Sequence, residues 1–348
     1  MSLSFSPMRL FLLVVTLSAA KGLSAAHAQA PDSARVRDTV PRLPELMVQL
    51  IRIDPDHFRV PMAVSCLGLT ALRRAQLTAG LDESLSRLPG VVVLNRYNYS
   101  LDQRVSIRGA GSRANFGLRG VKVLLDGVPQ TLLDGQSQLT NLDLGMVDRV
   151  EVLTSSAGAL YGNASGGVLA FSTETPATPF AARVRVTGGA FGTMKWQSVA
   201  AGTRGRTSGA VSVSRLRTDG FRQHSRAELL QVTAKGDLAL NSRSTLGIRF
   251  SLADAPTAEN PGALTAAEYA RTRDSAAGTN ILRGADKAVS QQQLSLRYRW
   301  LDGNGAEVDV IAFGLQRDLT NPLATAPPPP VSATAGTYNT KCENRKYK

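Results

Sequence analysis

From residue 177 onward the sequence alternates between apolar and polar side chains, and this feature narrows the fold more than any other. Successive side chains of a β-strand point to opposite faces. Val232, Ala234, Gly236 and Leu238 thus share one face while Thr233, Lys235 and Asp237 share the other. Leu246, Ile248, Phe250 and Leu252 oppose Gly247, Arg249 and Ser251 in the same way, and Leu294, Leu296, Tyr298 and Trp300 oppose Ser295, Arg297 and Arg299. About seven such segments fall near 181–189, 192–203, 207–217, 227–240, 244–253, 289–301 and 306–316. Each is close to the roughly 9–11 residues with which a tilted strand crosses a bilayer. The connections alternate too: residues 204–206, 241–243 and 302–305 are tight turns, whereas 218–226 and 253–288 are long and polar. Short turns at one rim and long loops at the other describe a transmembrane β-barrel. A soluble β-sandwich also alternates, but it imposes neither that strand length nor that succession of connections.

The stretch before these strands has a different grammar. Residues 62–66, 91–94, 105–107, 121–125, 150–153 and 168–172 are short strand candidates, and Asp126-Gly127 after the fourth supplies turn chemistry. Leu81, Leu85 and Leu88 recur at helical spacing and predict a helix over 78–88, stopped by Pro89-Gly90. Residues 61–176 thus read as a compact α+β domain with long loops. Residues 29–60 read as a flexible N-terminus, polar and Pro-containing over 31–42, carrying one isolated apolar segment at 43–49. An isolated strand of this kind is suited to adding to the sheet edge of another chain. Ahead of it, Arg9, the apolar run 10–20 and Ala26-His27-Ala28 have the form of a secretory signal peptide over 1–28; a short uncleaved anchor is the alternative.

Charge locates the basic excess. Residues 43–176 hold 12 Lys/Arg against 12 Asp/Glu, whereas residues 177–348 hold 23 against 13. Nucleic-acid binding would cluster such residues on one face. Here they occur as i, i+2 pairs on strands: Arg183 and Arg185, Arg215 and Arg217, Arg297 and Arg299. If the apolar face meets lipid, these arginines line the lumen, where they meet acidic residues of an inserted domain or an anionic ligand. No nucleic-acid partner is expected.

Chemistry-bearing motifs are scarce. Gly109-Ala-Gly111-Ser-Arg-Ala114 formally matches a dinucleotide fingerprint, with Asp134 twenty residues on. It lacks the helix that must follow to hold a pyrophosphate, so it is set aside. His57 and His224 stand far apart, no metal-ligand or nucleophile motif occurs, and the cysteines Cys66 and Cys342 give no disulfide framework. Neither an enzyme nor a cofactor is expected.

Five blocks then carry a family resemblance: Leu81-Asp-Glu-Ser-Leu85 with Leu88-Pro89-Gly90-Val91; Ile107-Arg108-Gly109; Leu125-Asp126-Gly127-Val128-Pro129; Asp148-Arg149-Val150-Glu151-Val152-Leu153; and Leu160-Tyr161-Gly162-Asn163-Ala164-Ser165-Gly166-Gly167-Val168. In this order they resemble the plug of a TonB-dependent outer-membrane receptor, a likeness covering about residues 43–320. Thr154-Ser-Ser-Ala-Gly158 and Leu169-Ala170 depart from the family pattern.

The resemblance implies an α+β plug domain at 61–176 followed by antiparallel transmembrane β-barrel strands at 177–320, part of a 22-stranded barrel. It implies energised uptake of a scarce ligand across the outer membrane, with a ferric siderophore or ferric citrate as the expected cargo. TonB of the inner-membrane complex would be the partner, engaging a TonB box at Leu43, Pro44, Glu45, Leu46, Met47 and Val48. Apical plug loops holding Asn98, Tyr99, Arg113, Asn115 and Phe116 would face the ligand, an iron chelate or similar small molecule. The alternatives are a small outer-membrane barrel with a structural or adhesive role and a basic soluble binding protein. About 22 strands of roughly ten residues need about 220 residues, and 172 follow Pro176. The expectation is therefore a plug with about a third of a barrel, ending in an aberrant tail at 321–348 that reads as a shifted or interrupted frame, or else as an unusual extracellular loop.

Overall fold

The computed structural model describes residues 63–68, 76–94, 97–111, 117–132, 135–137, 139–155, 157–174, 179–301 and 307–324. The signal segment, the box at Leu43, Pro44, Glu45, Leu46, Met47 and Val48, the loop residues Arg113, Asn115 and Phe116, and the tail beyond 324 lie outside the described residues.

The first part is a mixed sheet with short helices. Its elements are β1 (Val64–Gly68), α1 (Asp82–Leu85), β2 (Val91–Leu94), β3 (Arg104–Ile107), β4 (Val121–Leu125), β5 (Val128–Pro129), β6 (Val147–Leu153), α2 (Gly158–Tyr161) and β7 (Gly167–Thr173). Five strands form one sheet in the order β1-β6-β7-β4-β5, and β2 pairs with β3 as a separate hairpin. Only β4 and β7 run parallel. Asp126 and Gly127 both take positive φ, 49° and 84°, the geometry of the two-residue turn that folds β5 back onto β4. One apolar cluster unites Leu81, Leu85, Leu88, Ile107, Val150 and Phe171. The leucine spacing at 81, 85 and 88 thus reports burial correctly, but the helix is one turn long, not eleven residues. The cause is Glu83, whose carboxylate accepts the backbone N–H groups of Thr78, Ala79 and Gly80. Those amides are satisfied outside a helix, and Thr78 sits at φ 58°.

The second part is an antiparallel meander: β8 (Ala181–Gly188), β9 (Met194–Arg204), β10 (Thr207–Thr218), β11 (Ala227–Ala239), β12 (Ser244–Ala258), β13 (Ala288–Leu301) and β14 (Glu307–Thr320). Each strand pairs with its sequence neighbours, and among the described residues β8 and β14 stand at the two ends of an unclosed sheet. The outward face carries Val184 and Val186, Val211, Leu246 and Ile248, Leu294, Leu296 and Tyr298, all exposed. That is the lipid-facing band of a barrel wall. Strands β12 and β14 extend further toward the long connections than the apolar pattern predicts. The connection over 259–287 also contains two helices, α3 (Ala266–Arg271) and α4 (Gly278–Leu282). Thr265 and Glu268 form a capping box at the start of α3, a signal legible in the sequence as Thr-Ala-Ala-Glu. No helix among the described residues is long and apolar enough to cross a membrane.

Gly167 sits at φ +131° on the turn into β7, and a Cβ there would run into the Leu153 carbonyl oxygen. Gly158, at the start of α2, faces open space. Gly167→Ala is expected to lower the denaturant midpoint, costing more than about 1 kcal/mol, while Gly158→Ala is neutral or gains about 0.5 kcal/mol. Equal midpoints for the two variants would contradict this assignment of strain.

Candidate functional site

The sheet's concave face meets the plug through polar groups. Burying a polar group costs free energy unless it finds a hydrogen-bond partner, and here each side supplies partners to the other. Asp143 of the plug is the most heavily used. Its Oδ2 accepts from Gln197 Nε2 and Ser212 Oγ, each at 2.8 Å, and its Oδ1 lies 3.7 Å from Lys195 Nζ. Lys195 Nζ also donates to the Thr78 carbonyl at 2.7 Å. Further along the wall, Gln231 Nε2 donates to the Thr140 and Leu142 carbonyls, Lys235 Nζ to the Thr173 carbonyl, and Gln130 Nε2 to Gln293 Oε1. Toward the short-turn rim, Arg249 Nε stands 3.1 Å from Asp126 Oδ2, beside a charged cavity of about 410 Å³. The interface is therefore held by many water-replaceable bonds, with one small apolar cluster that joins Met146 of the plug to Val199, Ala201 and Ala210 of the wall.

A second cavity, about 120 Å³, opens where the plug's apical loop meets the strand ends that lead into the long loops. Asn98, Tyr99 and Asp102 line it from the plug, with Leu216, Leu229 and Val289 from the wall. Its one lining lysine, Lys287, is bound to Asp102 at 2.5 Å. Asn98 Nδ2 reaches Asn260 Oδ1 at 3.4 Å, tying the loop to the base of the 259–287 connection. Burial, reinforced by the Glu83 and Asp82 carboxylates, pushes the Tyr99 phenol up to about 12. His224, in the loop before β11, bonds to the Ala285 carbonyl and lies outside this lining. Among the described residues no cluster of His, Cys, Asp or Glu has the makings of a metal site.

The arginine pairs separate into two populations. Arg183 makes a two-pronged pair with Glu174, and Arg185 Nη2 donates to the Gln76 carbonyl, both toward the plug. Arg297 chelates Asp309 on the neighbouring strand, and Arg297 and Arg299 line the charged cavity at the short-turn rim. Arg215 and Arg217 contradict the expectation of a lumen position. They share the exposed face with Val211, while Ser212, Ser214 and Leu216 are the buried, plug-facing residues of β10. The i, i+2 spacing places both on one face, but the face is chosen by which set of neighbours fits the crowded interior. None of the six arginines lines the apical cavity. The residues that do join plug to wall, chiefly Asp143, Lys195, Gln197 and Gln231, carry no motif; their one sequence signal is a polar side chain on the polar face of an alternating strand.

A polar-lined wall segment packed on a folded α+β insert defines the class of plugged outer-membrane barrels. Residues 56–168 match the family model described as the TonB-dependent receptor plug domain, so this stretch of the chain is a plug domain of that family. The hemin receptor of Yersinia enterocolitica is 24% identical over 315 residues, which is 84% of this chain and 41% of that protein. The chain thus spans about 41% of that relative's length. Among solved structures, the unliganded ferric citrate transporter FecA superposes with TM-score 0.64 at 21% identity, covering 76% of this chain and 41% of that one. The ferric yersiniabactin uptake receptor FyuA of Yersinia pestis gives TM-score 0.62 at 18% identity, covering 75% and 41%. A chain of this family and fold resides in the bacterial outer membrane.

Asp143→Ala leaves Lys195 buried without its carboxylate and is expected to cost about 3–5 kcal/mol, whereas Glu228→Gln at the exposed Arg215 pair leaves the unfolding midpoint nearly unchanged. Guanidinium unfolding of the refolded chain distinguishes the two. The Tyr99 phenol is raised in the fold, so its stabilising contribution is present below pH 10 and is lost as pH rises through about 12. Phenolate absorbance compared with Tyr99→Phe is expected to show this tyrosine ionising at about 12; ionisation at pH 10 would contradict its burial.

Proposed function

We propose that this protein acts as a TonB-energised outer-membrane receptor that takes up an iron chelate. The observation that carries the reading is the seating of the plug. Its bonds to the wall are hydrogen bonds and ion pairs that water can replace one by one, so a pull on the plug has a low-energy route to opening a path. The pull would enter at Leu43, Pro44, Glu45, Leu46, Met47 and Val48, pairing edge to edge with a strand of TonB and passing force through backbone hydrogen bonds. Ligand would meet Asn98 and Tyr99 at the long-loop rim first, and the family resemblance adds Arg113, Asn115 and Phe116 as further ligand-facing residues.

The relative named for hemin and the fold neighbours named for ferric citrate and ferric yersiniabactin all belong to iron acquisition. A ferric siderophore or ferric citrate fits that class. The walls of the apical cavity add a second reading, since Leu216, Leu229 and Val289 are apolar and the cavity's lysine is neutralised by Asp102. That lining favours a chelate presenting an apolar face, as hemin does, over one that is anionic all round.

Growth of an iron-starved outer-membrane receptor knockout, complemented with the whole gene, tests both levels. Rescue by hemin or a ferric chelate that disappears when Leu46 and Val48 are changed to proline is the expected outcome. Rescue by vitamin B12 alone, or iron rescue indifferent to the box, would overturn the proposal.

A further inference from the structure

Arg215 and Arg217 are costly on a lipid-facing wall unless something anionic meets them there. They are the last outward residues of β10 before the 219–226 loop, above Val211 and Val213. Register sets Arg215 between Trp196 of β9 and Leu230 of β11, and Arg217 between Met194 and Glu228. A tryptophan on the outer face at this height is the usual companion of a membrane–water interface. The pairing of charges is incomplete. Glu228 lies 3.2 Å from Arg215 Nη2 and also binds Arg226. One carboxylate thus orders two guanidiniums, and Arg217 adds a third cation on the same exposed face. Glu259 accepts the Arg226 backbone N–H at 3.0 Å, and Asp254 sits one strand further on, across from Leu230. Arg226 is balanced by Glu259 and Asp219, whereas Arg215 and Arg217 have only Glu228 between them and keep a surplus of one positive charge at the boundary between apolar band and long loops.

We propose that this cluster is a binding site for the phosphates of lipopolysaccharide in the outer leaflet. Guanidiniums present forked donors that match phosphate oxygens, and the Arg stems can lie along apolar surface while the heads stay at the interface. Trp196, Met194 and Leu230 beside them would cover the upper parts of the acyl chains. The long-loop rim is the outward rim of such barrels, which selects the phosphorylated glycolipid of that leaflet over the glycerophospholipids of the inner one. Arg215, Arg217 and Arg226 stand outside the lining of the apical cavity, which only their partner Glu228 reaches. The site would fix the rotational and vertical position of this wall segment in the bilayer.

The full chain, folded in detergent and titrated with diphosphoryl lipid A, tests the assignment by native mass spectrometry. Retained lipid A is expected to fall about tenfold or more in R215Q/R217Q and to stay at the unmodified level in R204Q/R206Q, which removes the same charge at the opposite rim. The single variant R217Q, which leaves Glu228 with both its arginines, is expected to lose binding severalfold and keeps the test decisive if the double variant does not fold. Equal loss in R204Q/R206Q, undiminished binding of dephosphorylated lipid A, or equally tight binding of phosphatidylglycerol would each overturn the proposal.

Discussion

Backbone amides and carbonyls have no water to bond with inside a bilayer, so a chain that crosses as strands must pair every strand along its length. The rest of the structure depends on that requirement. It sets the meander in which β8 to β14 each pair with their sequence neighbours, and it forces strict alternation, because one face of every strand meets hydrocarbon. The other face is then free to be polar, and Lys195, Gln197, Gln231, Lys235 and Arg249 occupy it. Such a face is stable when dry only if something folded supplies partners, and the plug does so through Asp143, Thr78, Thr140 and Asp126.

That division also explains the charge of the strand region. A net positive half suggests an anionic ligand when read as one number. Read residue by residue, the inward arginines are spent on plug and strand partners, Arg183 on Glu174 and Arg297 on Asp309. The outward pair Arg215 and Arg217 points away from the lumen altogether. The apical cavity is lined instead by Asn98, Tyr99 and apolar wall residues, a surface whose character no composition count conveys.

Much of this was legible in the residues. The strand segments of the wall are read within a few residues because each is long, alternating and bounded by Gly, Asn or Asp turns. The plug strands β4, β6 and β7 are read because they hold short apolar stretches, with Gly166-Gly167 leading into β7, and Asp126-Gly127 after β4 because both residues tolerate positive φ. The expected helix over 78–88 shrank to one turn because Glu83 captured three amides three to five residues before it, a competition that spacing cannot reveal. The two helices of the 259–287 connection were missed although Thr265 and Glu268 spell a capping box.

The sequence by itself determined the kind of wall, the presence of an insert before it, and which side chains share a face, since these follow from the fixed two-residue period of a strand. It did not determine which face of β10 looks inward. Small Ser212, Ser214 and the apolar Leu216 lie on the crowded plug side, and bulky Arg215 and Arg217 on the open side. Only the tertiary structure decided that, because the choice rests on volume and on partners such as Asp143 that come from 69 residues away along the chain. For the same reason the polar bonds that seat the plug became visible only once the two parts were packed together.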